Sequence, residues 1–103
     1  MTETPILTQL ASLATGSIPS EVIEGIPARV IDIVGIAVRA STLDTSRSIV
    51  GFSTDQGTAP QSTAIGASAK MSTAEAAFVN GVLAHSLDYD DTHLPSILHP
   101  SAS

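Results

Sequence analysis

Residues 72–99, which decide the fold, read STAEAAFVNGVLAHSLDYDDTHLPSILH. The stretch begins as an alanine-rich apolar run and ends in polar side chains. Its last 15 positions hold all three histidines of the chain and three of its ten acidic residues, Asp88, Asp90 and Asp91. Elsewhere the chain is mostly aliphatic residues, serine and threonine, which carry little reactive chemistry. A functional site is therefore expected in this stretch.

The apolar run has the signature of a capped helix. Ser72 and Glu75 fit a capping box, in which the serine hydroxyl accepts from the Glu75 N–H and the glutamate reaches back to the serine N–H. The alanines after this box are strong helix formers, so we predict a helix from Thr73 to Asp88. Apolar residues fall on opposite sides of this helix, which is typical of a helix buried all round.

The end of the predicted helix breaks an electrostatic rule. Acidic side chains are disfavoured at a helix C-terminus, where the carbonyl groups carry partial negative charge. The three aspartates therefore need an offsetting partner: solvent, a cation from elsewhere, a metal ion or a function. If the helix persists, His85, Asp88 and Thr92 lie on one of its faces.

The other segments also favour helices, so the predicted fold class is all-α. Residues 28–40 are rich in Val and Ile, but a helix gathers Arg29, Asp32 and Arg39 into one stripe, which a strand does not. Gly35 lies near that stripe and is expected to mark close helix packing. The remaining predictions are a helix from Thr4-Pro5 to Gly16, a helical turn over 21–24 that ends at Gly25-Ile26-Pro27, a short helix around 46–52, and a loop over 57–70 with an extended piece near 63–65.

Composition limits the classes of protein to which this chain can belong. A chain of 103 residues forms at most one domain, and a net charge of −6 argues against a nucleic-acid partner. The chain has no cysteine, no basic residue before Arg29 and no apolar run long enough for a bilayer. We therefore expect a cytoplasmic protein. Only 14% of the residues are charged, which predicts that much of the surface is buried against further chain or an oligomer partner.

Several chemistries remain open for the polar end. His85, Asp88, Asp91, His93 and His99 are ligand types that suit zinc, iron or manganese, although no HExxH or EF-hand pattern is present. Residues 88–92 fit the DxDxT signature of haloacid-dehalogenase phosphotransferases, but they come after a helix instead of a buried strand. Metal-free acid–base chemistry by Asp and His is a third possibility. The alternative to all three is a structural role only, in which His85 and Asp88 pair with each other and the other acidic side chains are exposed to water.

Residues 76–93 (AAFVNGVLAHSLDYDDTH) and 99–101 (HPS) resemble the MmgE/PrpD family, whose members include 2-methylcitrate dehydratase, cis-aconitate decarboxylase and iminodisuccinate epimerase. Residues 28–35 (ARVIDIVG) and 63–66 (TAIG) are similar to two earlier family segments. The resemblance implies that residues 1–103 are the N-terminal segment of the family's large helical domain. They would represent about a quarter of a family member, which is usually a homodimer.

The resemblance also implies a function and its residues. It predicts a lyase that acts on small di- or tricarboxylic acids without a metal ion or organic cofactor. Asp88, Thr92 and His99 match family positions that line the active site, while Asp91 and His85 match positions at or behind the substrate. Because the family supplies further residues downstream, we expect the 103-residue piece alone to be inactive. The alternative is a non-catalytic helical fragment that associates with a partner or a full-length relative.

Overall fold

The computed structural model describes residues 4–56 and 59–101. Within these residues the chain is helical and has no strand, only two isolated β-bridges, so the predicted all-α class is confirmed. Its extents are 53 × 27 × 24 Å, which makes it elongated. The helices are α1 (Ile6–Thr15), α2 (Ser20–Ala40), α3 (Asp44–Asp55) and α4 (Thr73–His85).

Helix α4 begins where its capping signal predicts. The Ser72 hydroxyl oxygen accepts from the Glu75 N–H at 3.3 Å, and the hydroxyl donates to the Glu75 carboxylate at 2.8 Å. The helix ends at His85, so the predicted end at Asp88 is wrong. Asp88 has a φ of +50°, which lies outside the helical region. The early end places the aspartates beyond the helix, where imidazole and guanidinium groups lie beside Asp90 and Asp91.

The core lies where α4 packs against the C-terminal half of α2 and against α3. Most of its side chains are small, so the helix backbones can approach closely. One face of α4 is buried, but Phe78 remains 53% exposed, so the predicted burial on all sides is wrong for the described residues. The buried apolar residues of the core are Ala37, Ala40, Ala64, Met71, Ala76, Val79 and Leu83.

Helix α2 is longer than the sequence predicted. It continues through Gly25-Ile26-Pro27, where the sequence predicted a break. Proline inside a helix removes one backbone hydrogen bond, but the apolar residues keep a helical spacing on both sides of it. The predicted close packing at Gly35 is also wrong, because a Cβ added there would meet nothing within 4 Å.

Two contacts fix the loop that leads into α4. The side-chain amide of Asn80 accepts from the Ile65 N–H at 2.8 Å and donates to the Thr63 carbonyl at 3.1 Å. Gly66 has a φ of +78° and lies against Ser41, so close that an added Cβ would be 2.5 Å from the serine Cβ. The extended piece predicted near 63–65 lies earlier, at Ser62, which forms an antiparallel bridge with Met71. The start of the predicted loop, at Gly57, lies outside the described residues.

The N-terminal helices expose much apolar surface. Helix α1 ends before Gly16 as predicted, but it begins at Ile6 with Pro5 as its N-cap, so the predicted start at Thr4-Pro5 is one residue too early. It has no buried residue. Helix α3, which includes the short helix predicted around 46–52, is longer at both ends. Among the described residues, no helix combines the length and the apolar character needed to cross a bilayer. The large apolar residues exposed on α1, α2 and the segment between them are Ile6, Leu7, Leu10, Leu13, Ile18, Val22, Ile23, Ile26, Val30, Ile31, Val34 and Val38.

Candidate active site

The chain reverses direction immediately after α4. Ser86 caps the helix, and the Asp88 N–H donates to the His85 carbonyl at 3.0 Å. Asp88 itself adopts the left-handed conformation, which aspartate tolerates better than most residues. This reversal leaves the Asp88 side chain 79% exposed and directs the next residues back toward the end of the helix.

Asp90 is the carboxylate at the centre of the site. Its side chain is fully buried, with 0% of its surface exposed. One oxygen, Oδ1, lies 3.0 Å from Nδ1 of His85, and the other, Oδ2, lies 3.2 Å from Nδ1 of His99. The two imidazole rings meet edge to face, with their centroids 4.6 Å apart. The partner of His85 is thus Asp90, so the expected pairing with Asp88 is wrong.

His99 connects the buried acid to the exposed one. Its Nε2 atom lies 3.6 Å from Oδ1 of Asp88, on the side of the ring away from Asp90. The hydroxyl of Thr92 lies 3.5 Å from His99 Nδ1 and 3.4 Å from the Asp90 carbonyl oxygen, so both of its contacts are long. His99 is held by a short turn in which the His93 N–H donates to the Leu98 carbonyl at 2.8 Å.

Asp91 faces another part of the molecule. Its carboxylate forms an ion pair with Arg29 of α2 and accepts from the Ser101 N–H at 3.1 Å. The hydrogen bond from Ser101 and the positive charge of Arg29 lower the pKa of Asp91, against the opposing effects of burial and of Asp90. Arg29 is therefore one of the cations that offset the cluster of aspartates.

The environment of Asp90 favours its ionised form. Burial alone would raise its pKa, because a charged carboxylate loses water there. The hydrogen bond from His85, a hydrogen bond from its own backbone and the nearby positive charges of His99 and His85 act in the opposite direction, and the net effect lowers the pKa of Asp90. The buried carboxylate is therefore an anion near neutral pH.

The same groups have the composition of a metal site. One ligand atom from each of His85, Asp88, Asp90 and His99 lies within 4.8 Å of the others. Imidazole and carboxylate ligands suit zinc and similar divalent ions. Oδ1 of Asp90 is hydrogen-bonded to Nδ1 of His85 at 3.0 Å. Oδ2 lies 3.2 Å from Nδ1 of His99 but has no hydrogen-bond partner among the described residues.

Two apolar grooves include residues next to the cluster in the chain. One has a volume of about 610 Å³ and runs along α2 past Leu87 and Tyr89. The other has a volume of about 560 Å³ and runs along α4 from Ala77 to His85 and Ser86. Of the cluster residues, His85 lines the second groove, and the two residues next to Asp88 in the chain line the first.

The structure brings together four of the five residues predicted for the site: His85, Asp88, Thr92 and His99. Asp91 is turned toward Arg29, and His93 lies outside the cluster with its Nδ1 atom 2.6 Å from the Ser96 hydroxyl. Sequence reasoning missed Asp90 as a site residue. The signal that would have found it was the electrostatic conflict at the end of α4, since a helix that ends at His85 lets Asp90 fold back onto it.

The comparisons with known proteins agree with the motif. The chain matches the family model described as the MmgE/PrpD N-terminal domain over residues 6–103. No curated protein and no solved structure matched the chain.

Proposed function

Because this chain belongs to the MmgE/PrpD family, we propose that it supplies one wall of the active site of a lyase that acts on small di- or tricarboxylic acids. The observation that carries the proposal is the position of His99. Its ring lies between the exposed carboxylate of Asp88 and the buried carboxylate of Asp90, at 3.6 and 3.2 Å. An imidazole near a carboxylate is suited to moving protons near neutral pH.

Dehydration of such an acid needs two proton movements. A base removes a proton from the carbon next to a carboxylate, and the electrons of that C–H bond form the new double bond. Hydroxide leaves the neighbouring carbon with the C–O electrons and takes up a proton to become water. Decarboxylation and epimerisation use the same acid and base groups in another order.

We assign these movements to the residues of the cluster. Asp88 is the base, because its carboxylate is the exposed one and can reach a substrate. His99 receives the proton from Asp88 through Nε2 and passes it toward the leaving hydroxyl. Thr92 donates its hydroxyl hydrogen to a substrate carboxylate, since its present contacts, at 3.4 and 3.5 Å, are long enough to be exchanged.

The chain lacks the cations that this chemistry needs. A polycarboxylate substrate and its developing charge require nearby positive groups, but the chain has only four Lys and Arg residues and a net charge of −6. Arg29 is already paired with Asp91. We therefore propose that residues 1–103 act as the N-terminal segment of a larger helical domain, that further chain supplies the cations, and that the whole is a cytoplasmic homodimer.

The proposal is tested in the product of the complete coding sequence, with a panel of hydroxy di- and tricarboxylates. In that protein we expect Asp88→Asn to lower turnover by about 10²–10⁴-fold, the usual contribution of one acid–base group. Thr92→Ala should lower it less, because it removes one hydrogen bond. Asp55→Asn, an exposed carboxylate on α3, is the matched control and should retain wild-type activity. Full turnover in Asp88→Asn would contradict the assignment.

The exposed apolar surface favours a second candidate, a helical fragment that associates with a partner or a full-length relative. In this case α1 and α2 would be covered by the other protein. The coding sequence downstream of Ser103 distinguishes the two candidates. An in-frame continuation of several hundred residues favours the lyase, and a stop codon favours the associating fragment.

A further inference from the structure

We propose that the polar cluster at the end of α4 binds one divalent metal ion of the zinc type, held by His85, Asp88, Asp90 and His99. Ions of this type accept mixed imidazole and carboxylate ligands. The inference adds a metal-bound state that the proposed acid–base chemistry does not require. It rests on the proposed function only for the effect of the ion on turnover.

The first observation is an oxygen without a partner at the centre of the cluster. The side chain of Asp90 is 0% exposed. Its Oδ1 atom is hydrogen-bonded to Nδ1 of His85 at 3.0 Å, but Oδ2 has no hydrogen-bond partner among the described residues. A buried acceptor left without a partner costs free energy and needs an explanation. A cation bound by Oδ2 supplies one.

The second observation is the group of ligand atoms around this oxygen. One ligand atom from each of the four side chains lies within 4.8 Å of the other three. Oδ2 of Asp90 lies 3.2 Å from Nδ1 of His99. Nitrogen and oxygen ligands of one tetrahedral zinc ion lie about 3.3–3.6 Å apart, so the widest separation in the cluster has to shrink by roughly 1–1.5 Å.

The exposed members of the cluster allow this contraction. The side chain of Asp88 is 79% exposed and can change its rotamer, whereas that of Asp90 is enclosed. Asp90 is therefore the fixed ligand, and Asp88 closes the site from the solvent side. The side chain of His85 is 52% exposed, so an ion also has a path of entry.

The charge of the cluster matches a divalent ion. Asp88 and Asp90 together carry two negative charges when ionised, and imidazole binds a metal ion in its neutral form. Among the described residues, no Lys or Arg forms an ion pair with either carboxylate. Calcium takes six to eight oxygen ligands and magnesium prefers octahedral oxygen sites. The two imidazoles therefore favour zinc over both.

A metal ion at this site occupies groups that the proposed function assigns to proton transfer. Asp88 and His99 cannot accept a proton through atoms whose lone pairs bind the ion. The metal-bound chain is therefore an inactive form of the proposed lyase, and the ion acts as an inhibitor of it.

The site is tested first by titration of the 103-residue chain with zinc chloride and, separately, with cobalt chloride. Calorimetry counts the ions bound per chain, and the visible absorption of cobalt reports tetrahedral coordination. We expect one zinc ion per chain, a tetrahedral cobalt spectrum that zinc abolishes, and no saturation by magnesium at the same concentrations. These titrations need no substitution. Absence of saturable zinc binding, or equal binding of magnesium, would overturn the proposal.

Two variants then locate the ion, with circular dichroism as the check on their helical fold. Asp88→Ala and His99→Ala each remove a ligand, and each should weaken zinc binding by at least about 10-fold, since loss of even an outer-shell partner costs about 10–100-fold. The matched control is His93→Ala, because His93 lies outside the cluster against Ser96. It should leave the affinity nearly unchanged. A loss confined to His93→Ala would overturn the assigned ligands.

Turnover by the product of the complete coding sequence separates failure of this inference from failure of the proposed function. Free zinc is held constant by a chelating buffer, because carboxylate substrates bind zinc themselves. We expect turnover to fall with the fraction of zinc-bound protein and to return when EDTA is added. Full turnover with zinc bound, in a protein that Asp88→Asn inactivates, would overturn the inference and leave the lyase intact. If no condition gives turnover, the proposed lyase fails, and the titrations decide the zinc site independently.

Discussion

The two ends of this molecule differ in how far their side chains are buried and find partners within the chain. At the end of α4, five polar residues within 15 positions contact each other, and Asp90 among them is fully buried. In α1, by contrast, Leu13 is 74% exposed and no residue is buried. The polar end is therefore organised within this chain, whereas the described residues leave the N-terminal apolar surface exposed.

The sharpest test of this contrast compares two leucines. Leu83 is 0% exposed in the core, so Leu83→Ala should lower the free energy of unfolding by about 2–5 kcal/mol. Leu13→Ala on α1 should change it by less than about 0.5 kcal/mol, because it removes no buried contact. Urea unfolding of the 103-residue chain measures both. Equal losses would contradict the contrast and would show that α1 is covered in solution.

A smaller effect is expected at the loop that leads into α4. Gly66→Ala places a Cβ 2.5 Å from that of Ser41, at a φ of +78° that disfavours side chains. We expect a loss of about 1–3 kcal/mol in the free energy of unfolding.

The matched variant for Gly66 is Gly51→Ala in α3. A Cβ at Gly51 would meet nothing within 4 Å, and alanine stabilises a helix relative to glycine by about 0.5–1 kcal/mol. Opposite signs for the two variants in one unfolding series are the expected result. A neutral Gly66→Ala would mean that the loop does not pack on Ser41.

The smallest expected effect is on the free energy of unfolding at acid pH. The pKa of Asp90 is lower in the folded chain than in the unfolded chain, so the unfolded chain binds more protons between the two values. The contribution of Asp90 to stability is therefore complete above about pH 4 and is lost as pH falls through the folded pKa. Asp91 has the same direction of shift.

Unfolding curves between about pH 2 and 7 measure this loss. Asp90→Asn should flatten the acid limb of the stability profile. An acid limb in Asp90→Asn as steep as that of the wild type would contradict the ionised state of the buried carboxylate.

The sequence predicted the helices better than it predicted their ends. The Ser72–Glu75 capping box and the helical spacing of apolar residues depend on neighbours along the chain, so they could be recognised directly. The continuation of α2 through Pro27 could not be recognised. Gly25 and Pro27 indicate the end of a helix, whereas the apolar residues on both sides of them keep a helical spacing. Gly35 was wrongly predicted as a packing site, since its surroundings depend on elements far away in sequence.

Most residues of the polar cluster could be predicted from the sequence, but its central residue could not. The motif located His85, Asp88, Thr92 and His99, and the structure brings them together. The central role of Asp90 depends on two facts that the sequence does not state: the helix ends at His85, and Asp88 adopts a positive φ. The partner of Asp91, Arg29, lies 62 residues away along the chain. Such a pairing cannot be inferred from spacing.

The most direct test of the proposed function compares two histidines of the same segment in the product of the complete coding sequence. His99 lies between Asp88 and Asp90, whereas His93 contacts Ser96 outside the cluster. We predict that His99→Ala lowers kcat on a di- or tricarboxylate substrate by at least about 10²-fold and that His93→Ala retains nearly the wild-type rate. Equal rates for the two variants would contradict the claim that this cluster carries out the proton transfers.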